Sequence, residues 1–143
     1  MLSNSSKYAL TAVLYLAVNA SFENKIQSKD ISEPTAIPKA YLSKILQELS
    51  KHHIVSSVKG PNGGFYLSEE NRNVKLIKIV DLIDGEDRLT SCVLSLKDCN
   101  ANHPCPLHDM VGTTKTQFFI KMNTTTIGDL VSDIKEGKSF LPL

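Results

Sequence analysis

The stretch that most restricts how this chain can fold is "PKAYLSKILQELSKHHIVSSVKGPNGGFYL", residues 38–67. Its leading proline suits the first position of a helix, because the ring presets φ and the missing N–H has no intrahelical partner to lose there. At the helical step of about 100° per residue, Tyr41, Leu42, Ile45, Leu46 and Leu49 fall in one arc, and Ala40, Ser43, Lys44, Gln47 and Lys51 fall opposite. The helix is therefore predicted to bury one side and to offer a polar, lysine-bearing side to something else. Two short β-prone runs follow around Lys59-Gly60-Pro61-Asn62-Gly63-Gly64, where Asn-Gly beside Gly and Pro predicts a β-hairpin.

Upstream, "YALTAVLYLAVNA" (residues 8–20) reads as a helix buried nearly all round, with Ser5 or Ser6 as its cap. Its small residues also resemble a secretory leader, but only Lys7 and the amino terminus precede it as positive charges, and the run is shorter than the about 20 residues a bilayer requires. In "QSKDISEPT" Ser28 is the expected N-cap, Asp30 favours the first turn, and Pro34 ends a short helix. Three short helices and a hairpin are the plan of a winged helix-turn-helix. The predicted fold class is mainly α with a small β-hairpin wing.

Beyond the polar "SEENRN", Ile79, Val80, Leu82 and Ile83 mark a helix that Gly85 can close. A longer helix is expected over "HDMVGTTKTQFFIKM", anchored by Met110, Val111, Phe118, Phe119 and Met122, although Gly112 weakens its continuity. Thr125 or Thr126 caps a last short helix before a loose "SFLPL" tail. With 143 residues, 41% hydrophobic and 22% charged, one domain that buries its own core is the default. The net charge of +1 neither demands nor excludes a polyanionic partner. Residues 1–68 carry seven lysines against four acids, so the front half is the mildly basic one.

A helix-turn-helix lays its second helix in the major groove of DNA. On that reading Lys44 donates to guanine, Ser43 bonds to several bases, Gln47 pairs with adenine and Ala40 touches a thymine methyl. Lys29, Lys51 and helix N-terminal N–H groups suit phosphates, and Lys59 at the hairpin tip reaches the minor groove. Ser28, Lys39 and the hairpin residues Gly60, Pro61, Asn62 and Gly63 complete the expected DNA face. The bland alternative is a solvated helix face beside an ordinary hairpin; the ordered series of short helix, Pro-started helix and Gly-rich hairpin favours DNA.

All three cysteines lie in "SCVLSLKDCNANHPCPLHDM", residues 91–110. An odd number excludes a fully paired disulfide framework within one chain. The spacing Cys92, Cys99, Cys105, His108 is neither a common zinc ribbon nor a ferredoxin run. Spacing alone leaves zinc, an iron-sulfur cluster, a thiol switch or three unrelated cysteines. Cys99 and Cys105 sit among Lys97, Asp98, Asn100, Asn102 and Pro104, a polar setting that argues against simple burial. An enzyme with Cys105 as nucleophile and His108 as base is disfavoured by Pro106 and the lack of a third orienting group.

The segments "SSKYALTAVLYLA" and "SKDISEPTAIPKAYLSKILQELSKHHIVSSVKGPNGGFYLS", with the trailing cysteines, resemble the IscR and NsrR type of bacterial winged-helix transcription regulator over essentially the whole chain. The hairpin "KGPNGGFYL" is similar to that family's R-G-P-G-G-G-Y-x-L, with Lys59 in place of arginine and Asn62 in place of glycine. Lysine keeps the charge but loses the planar fork, so minor-groove reading changes. The resemblance implies a cytoplasmic homodimer on an imperfectly palindromic, double-stranded operator, with no membrane role and no enzyme activity. It implies a winged domain over 1–85, a cluster-binding loop over 86–108 and a dimerisation helix with a tail over 109–143. It also implies Cys92, Cys99, Cys105 and His108 as ligands of an iron-sulfur cluster, 2Fe-2S favoured over 4Fe-4S. The first gap is six residues where the family more often has five, and His103 competes for the fourth place. The carboxylate that another branch supplies from the partner's amino-terminal region has no counterpart in Lys7-Tyr8-Ala9. A zinc-stabilised or purely thiol-based winged-helix regulator is the alternative.

Overall fold

A computed structural model describes residues 1–97 and 100–143. Its order is α1 (Asn4–Asn19), α2 (Ser28–Thr35), α3 (Lys39–Lys51), β1 (Ser56–Val58), β2 (Gly64–Tyr66), α4 (Glu69–Arg72), α5 (Leu76–Asp84), α6 (His108–Thr124) and α7 (Ile127–Lys135). This is the predicted winged helix-turn-helix, mainly helical with one two-stranded sheet.

The core is built around α1, which packs against α2, α3, α5 and α7. Fully buried Ala9 and Ala12 let these neighbours approach closely, and Val13 and Leu16 fill the space between them. Leu42, Leu46 and Leu49 of α3 supply the facing layer, as their helical spacing predicts. Tyr41, assigned to the same arc, is instead 39% exposed: it lies at the arc's edge, its ring edge-on to Tyr8 and its hydroxyl bonded to Ser5. The last helix returns to this core, with Ile127 and Val131 buried, and the carbonyl and amide of Val74 and Leu76 bond to Ile127 and Thr125 where α5 and α7 begin.

Helix ends differ from expectation by one to three positions. Ser3, not Ser5 or Ser6, caps α1 by accepting from the Ser6 N–H at 3.0 Å. Gln27 occupies the N-cap of α2, and Ser28 is its first residue. Pro34 does not stop α2, which runs one residue further and ends at Ala36 in the left-handed region, φ 55°. Pro34 is the seventh of the eight residues of α2, so its ring removes only the last-turn bond to the Asp30 carbonyl, and the helix ends directly after it. Pro38 is the N-cap of α3 rather than its first residue. The polar "SEENRN" contains the unforeseen α4, closed by a reciprocal capping box between Ser68 and Asn71. Buried Asn71 also accepts from Ser56 Oγ at 2.7 Å and donates to the His53 carbonyl at 2.8 Å, so one amide joins the exit of α3, β1 and α4.

Asp84, at the end of α5, closes the other side of the core. Its carboxylate accepts from Ser3 Oγ at 2.5 Å and Ser6 Oγ at 2.7 Å, with Arg88 at 3.9 Å. Burial by itself raises the pKa of this carboxyl, but the Ser3 and Ser6 hydroxyls, the Ser3 N–H and the Arg88 charge outweigh it and hold Asp84 below its ordinary value. A lowered carboxylate pKa contributes stability above the unfolded value of about 3.9, and that stability is lost as pH falls through the lower folded value. Asp84→Asn is therefore expected to cost about 1–3 kcal/mol near neutral pH, the worth of charged hydrogen bonds. Urea unfolding should show the gap to the parent narrowing as pH falls below about 4.

Candidate nucleic-acid interface and thiol segment

The hairpin pairs Ser56 with Tyr66, Ser57 with Phe65 and Val58 with Gly64. Its turn is closed by the Gly63 N–H donating to the Gly60 carbonyl at 3.0 Å, which places Pro61 and Asn62 at the centre. The sequence signal had pointed to Asn-Gly; proline at the first central position moves the bend back by one residue. Asn62 does not take a positive φ, so the glycine that the resemblance expects there is not required by the backbone. Gly63 and Gly64 are required for another reason: an added Cβ would lie 2.1 Å from the Val58 carbonyl oxygen at Gly63, and 2.9 Å from the Ile26 backbone at Gly64. Ile26 exchanges both of its backbone hydrogen bonds with Phe65, at 3.0 and 2.8 Å, so the wing leans on the segment that leads into α2.

Three side-chain bonds set the wing and the helices against one another. Ser43 of α3 donates to Ser28 of α2 at 3.1 Å, Ser50 of α3 bonds with Ser57 of β1 at 2.8 Å, and the Gln27 amide donates to the Pro61 carbonyl at 3.4 Å. A cleft of about 700 Å³ opens between α3 and the wing, and of the predicted residues it gathers Ser28, Gln47, Lys51, Lys59, Gly60 and Gly63. Among the described residues that line it there are two lysines and no carboxylate. On the other side of the wing a second cleft holds Lys29 with Pro61, Asn62 and Gly63, but also Glu23 and Asp30. Lys39, Ala40 and Lys44 are exposed on α3 outside both clefts, and Ser43 is half-buried in its bond to Ser28. The cations of residues 1–68 are all lysines. Gln27, Ser50 and Ser57 line the main cleft without having been anticipated. No spacing rule marks them, because their positions follow from how the wing is paired and docked.

The thiol segment begins as α5 ends. Cys92 is 8% exposed and Leu89 is buried, whereas Val93, Leu94 and Leu96 are exposed. Cys105 and His108 are half-buried, and the His108 N–H donates to the Cys105 carbonyl at 2.9 Å, which sets both on one turn where α6 starts. Cys99 lies outside the described residues. His103 is exposed and bridges to Asn100. The Lys115 ammonium donates to the carbonyls of Thr90, at 2.9 Å, and Ser91, tying α6 to the residues just before Cys92. A cleft of about 780 Å³ between this segment and α6 is lined by Leu89, Thr90, His108, Gly112, Lys115 and Phe119 among others. Two thiols and an imidazole are donors suited to iron or zinc. Among the described residues, no three such side chains are gathered in one place.

The helix α6 is continuous through Gly112, and it buries one side chain, Met122. Met110, expected as an anchor, is 73% exposed, and Ile120 is 51% exposed. No helix among the described residues is long and apolar enough to cross a membrane.

The family model described as "Rrf2: Iron-dependent Transcriptional regulator" matches residues 2–133. An HTH-type transcriptional regulator of Aquifex aeolicus is 34% identical over 132 residues, covering 91% of this chain and 90% of the relative. The HTH-type transcriptional regulator IscR of Vibrio parahaemolyticus is 28% identical over 132 residues, covering 92% of this chain and 77% of the relative. The solved structure of CymR, the global cysteine regulator of B. subtilis, superposes with a TM-score of 0.70 at 20% identity, covering 92% of this chain and 96% of that one. The last likeness establishes the fold.

Proposed function

Because the chain belongs to the Rrf2 family of transcriptional regulators, which are not enzymes, we propose that it grips an imperfectly palindromic operator as a cytoplasmic homodimer under the control of an iron-sulfur cluster. The observation that carries the DNA half is the cleft between α3 and the wing, lined by lysines, amides and hydroxyls without a carboxylate. Lys44, Gln47, Ser43 and Ala40 read base edges in the major groove, and Lys59 with Gly60, Pro61, Asn62 and Gly63 follows the adjacent minor groove. Lys29, Lys39 and Lys51 hold phosphates, with Ser28 at the start of α2. The two copies meet along α6, where Met110 and Ile120 are apolar and exposed within one chain.

Cys92, Cys99, Cys105 and His108 are the residues that would hold the cluster, 2Fe-2S in preference to 4Fe-4S. When bound, such a group supplies a centre that changes on oxidation, on reaction with nitric oxide or on iron loss. The chain's own residues pass the change on. Lys115 holds the Thr90 and Ser91 carbonyls against α6, so reordering the loop shifts the subunit-pairing helix. On the other side Arg88 donates to the Met1 carbonyl at 3.0 Å and Asp84 grips Ser3 and Ser6, linking the same segment to α1 and hence to α3. Half-sites on DNA repeat at about 34 Å, so a small change in subunit spacing changes affinity strongly.

A thiol-based or zinc-stabilised regulator on the same scaffold is the second reading, since the cysteines and histidines of this one segment are donors suited to zinc as well as to iron. Protein purified without oxygen separates the two. Iron and sulfide in equal amounts with visible absorption, lost in Cys92→Ala, Cys99→Ala and Cys105→Ala, is the expected result. Zinc, or colourless metal-free protein that cannot be reconstituted, would overturn the cluster.

A further inference from the structure

Gln27 lines both clefts flanking the wing, as does Gly63 of the wing itself, and its side chain bonds to the wing tip. Its backbone position is set by its neighbour: Ile26 exchanges two hydrogen bonds with Phe65, and the Ile26 backbone lies so near Gly64 that no Cβ fits between them. The side chain therefore extends from a fixed base, at the N-cap of α2, toward the Pro61 carbonyl at 3.4 Å. Pro61 is at the centre of the turn that carries Lys59 and Asn62. Gln27 lines the main cleft together with Gln47 and Lys51 of α3.

We infer that Gln27 is a specificity-positioning residue: by holding the wing tip through Pro61 it fixes where Lys59 enters the minor groove relative to the bases that α3 reads. The inference rests on the DNA-binding reading above. Its physical basis is that the wing's strands are only three residues each, so the tip's placement depends on what holds it from outside. Narrow A/T-rich minor grooves attract a cation through their width, and a cation held loosely over the groove loses that discrimination while keeping its general attraction to phosphate. Gln27 is neutral and holds backbone, so its loss should leave the charge count of the interface unchanged.

The test uses full-length Gln27→Ala beside the parent, on a duplex selected from random sequence and on the same duplex with A/T steps at the wing positions changed to G/C. Fluorescence anisotropy across a salt series gives both affinity and salt slope. The expected result is that the parent's preference for the A/T flank falls by about fivefold in the variant, the net worth of one neutral hydrogen bond. Preference at the α3-contacted bases and the salt slope should be unchanged, and thermal unfolding should coincide with the parent's. A flank preference that survives intact, or a loss spread equally over every sequence, overturns the inference. A parent protein that shows no sequence preference at all would instead remove the DNA-binding reading on which it stands.

Discussion

Ile120→Lys is expected to abolish high-affinity operator binding, by about 10²- to 10⁴-fold, while leaving each chain folded. Ile120 is half exposed on α6 in a helix that buries one side chain within its own chain, so a charge there costs the isolated fold little. In a homodimer paired along α6 it would be buried at the seam, and an unpaired ammonium is not tolerated in such a place. Splitting the dimer turns one bivalent grip on a palindrome into two separate monovalent ones, and the loss of effective concentration alone is worth that range. Sedimentation or light scattering should report a monomer at concentrations where the parent is a dimer, with unchanged far-UV circular dichroism. A variant that remains dimeric and binds its operator normally would place the pairing surface elsewhere.

The second large effect is expected in the wing. Gly63→Ala brings a Cβ to 2.1 Å from the Val58 carbonyl oxygen and 2.9 Å from the Gly60 carbonyl oxygen, both of them backbone atoms that cannot turn aside. The turn must open, and with it the contacts of Lys59 and the edge of the main cleft. Operator affinity should fall by about 10- to 100-fold, the worth of one or two lost groove contacts. Asn62→Gly is the comparison: Asn62 has no positive φ, so this change removes a side chain without opening the turn, and affinity should fall less, by under about tenfold, the worth of one polar contact. Parent-like affinity in both variants would show that the wing does not touch DNA.

The winged plan was legible because each step of it is local: a proline that starts α3, a 3.6-residue apolar period in α3 and α5, and glycines where the hairpin permits nothing larger. Terminal residues of helices were less legible: Ser3 and Gln27 stand at the N-caps in place of Ser5, Ser6 and Ser28, and both also bond to distant residues, Asp84 and Pro61, that only folding brings near. Asp84 gave no signal at all, because its partners Ser3 and Ser6 are brought to it only by the packing of α5 on α1. The lysines of α3 were legible as a polar face, but which of them share a cleft with the wing was not. That depends on the Ile26 to Phe65 pairing and on Gln27, both of long sequence separation. For the thiols, residue type and spacing were legible, while their meeting point was not: Cys99 lies outside the described residues, and Cys92 and Cys105 begin from opposite ends of an irregular segment.

The central claim is that grip on DNA answers to the state of the cysteine segment. Its most direct measure is operator affinity of the same preparation with and without its cluster, both kept from oxygen and compared at one fixed salt concentration. The account predicts a difference of at least about tenfold, or a change in preferred operator sequence, that disappears in Cys92→Ala. Equal affinity and equal preference in the two forms would contradict it.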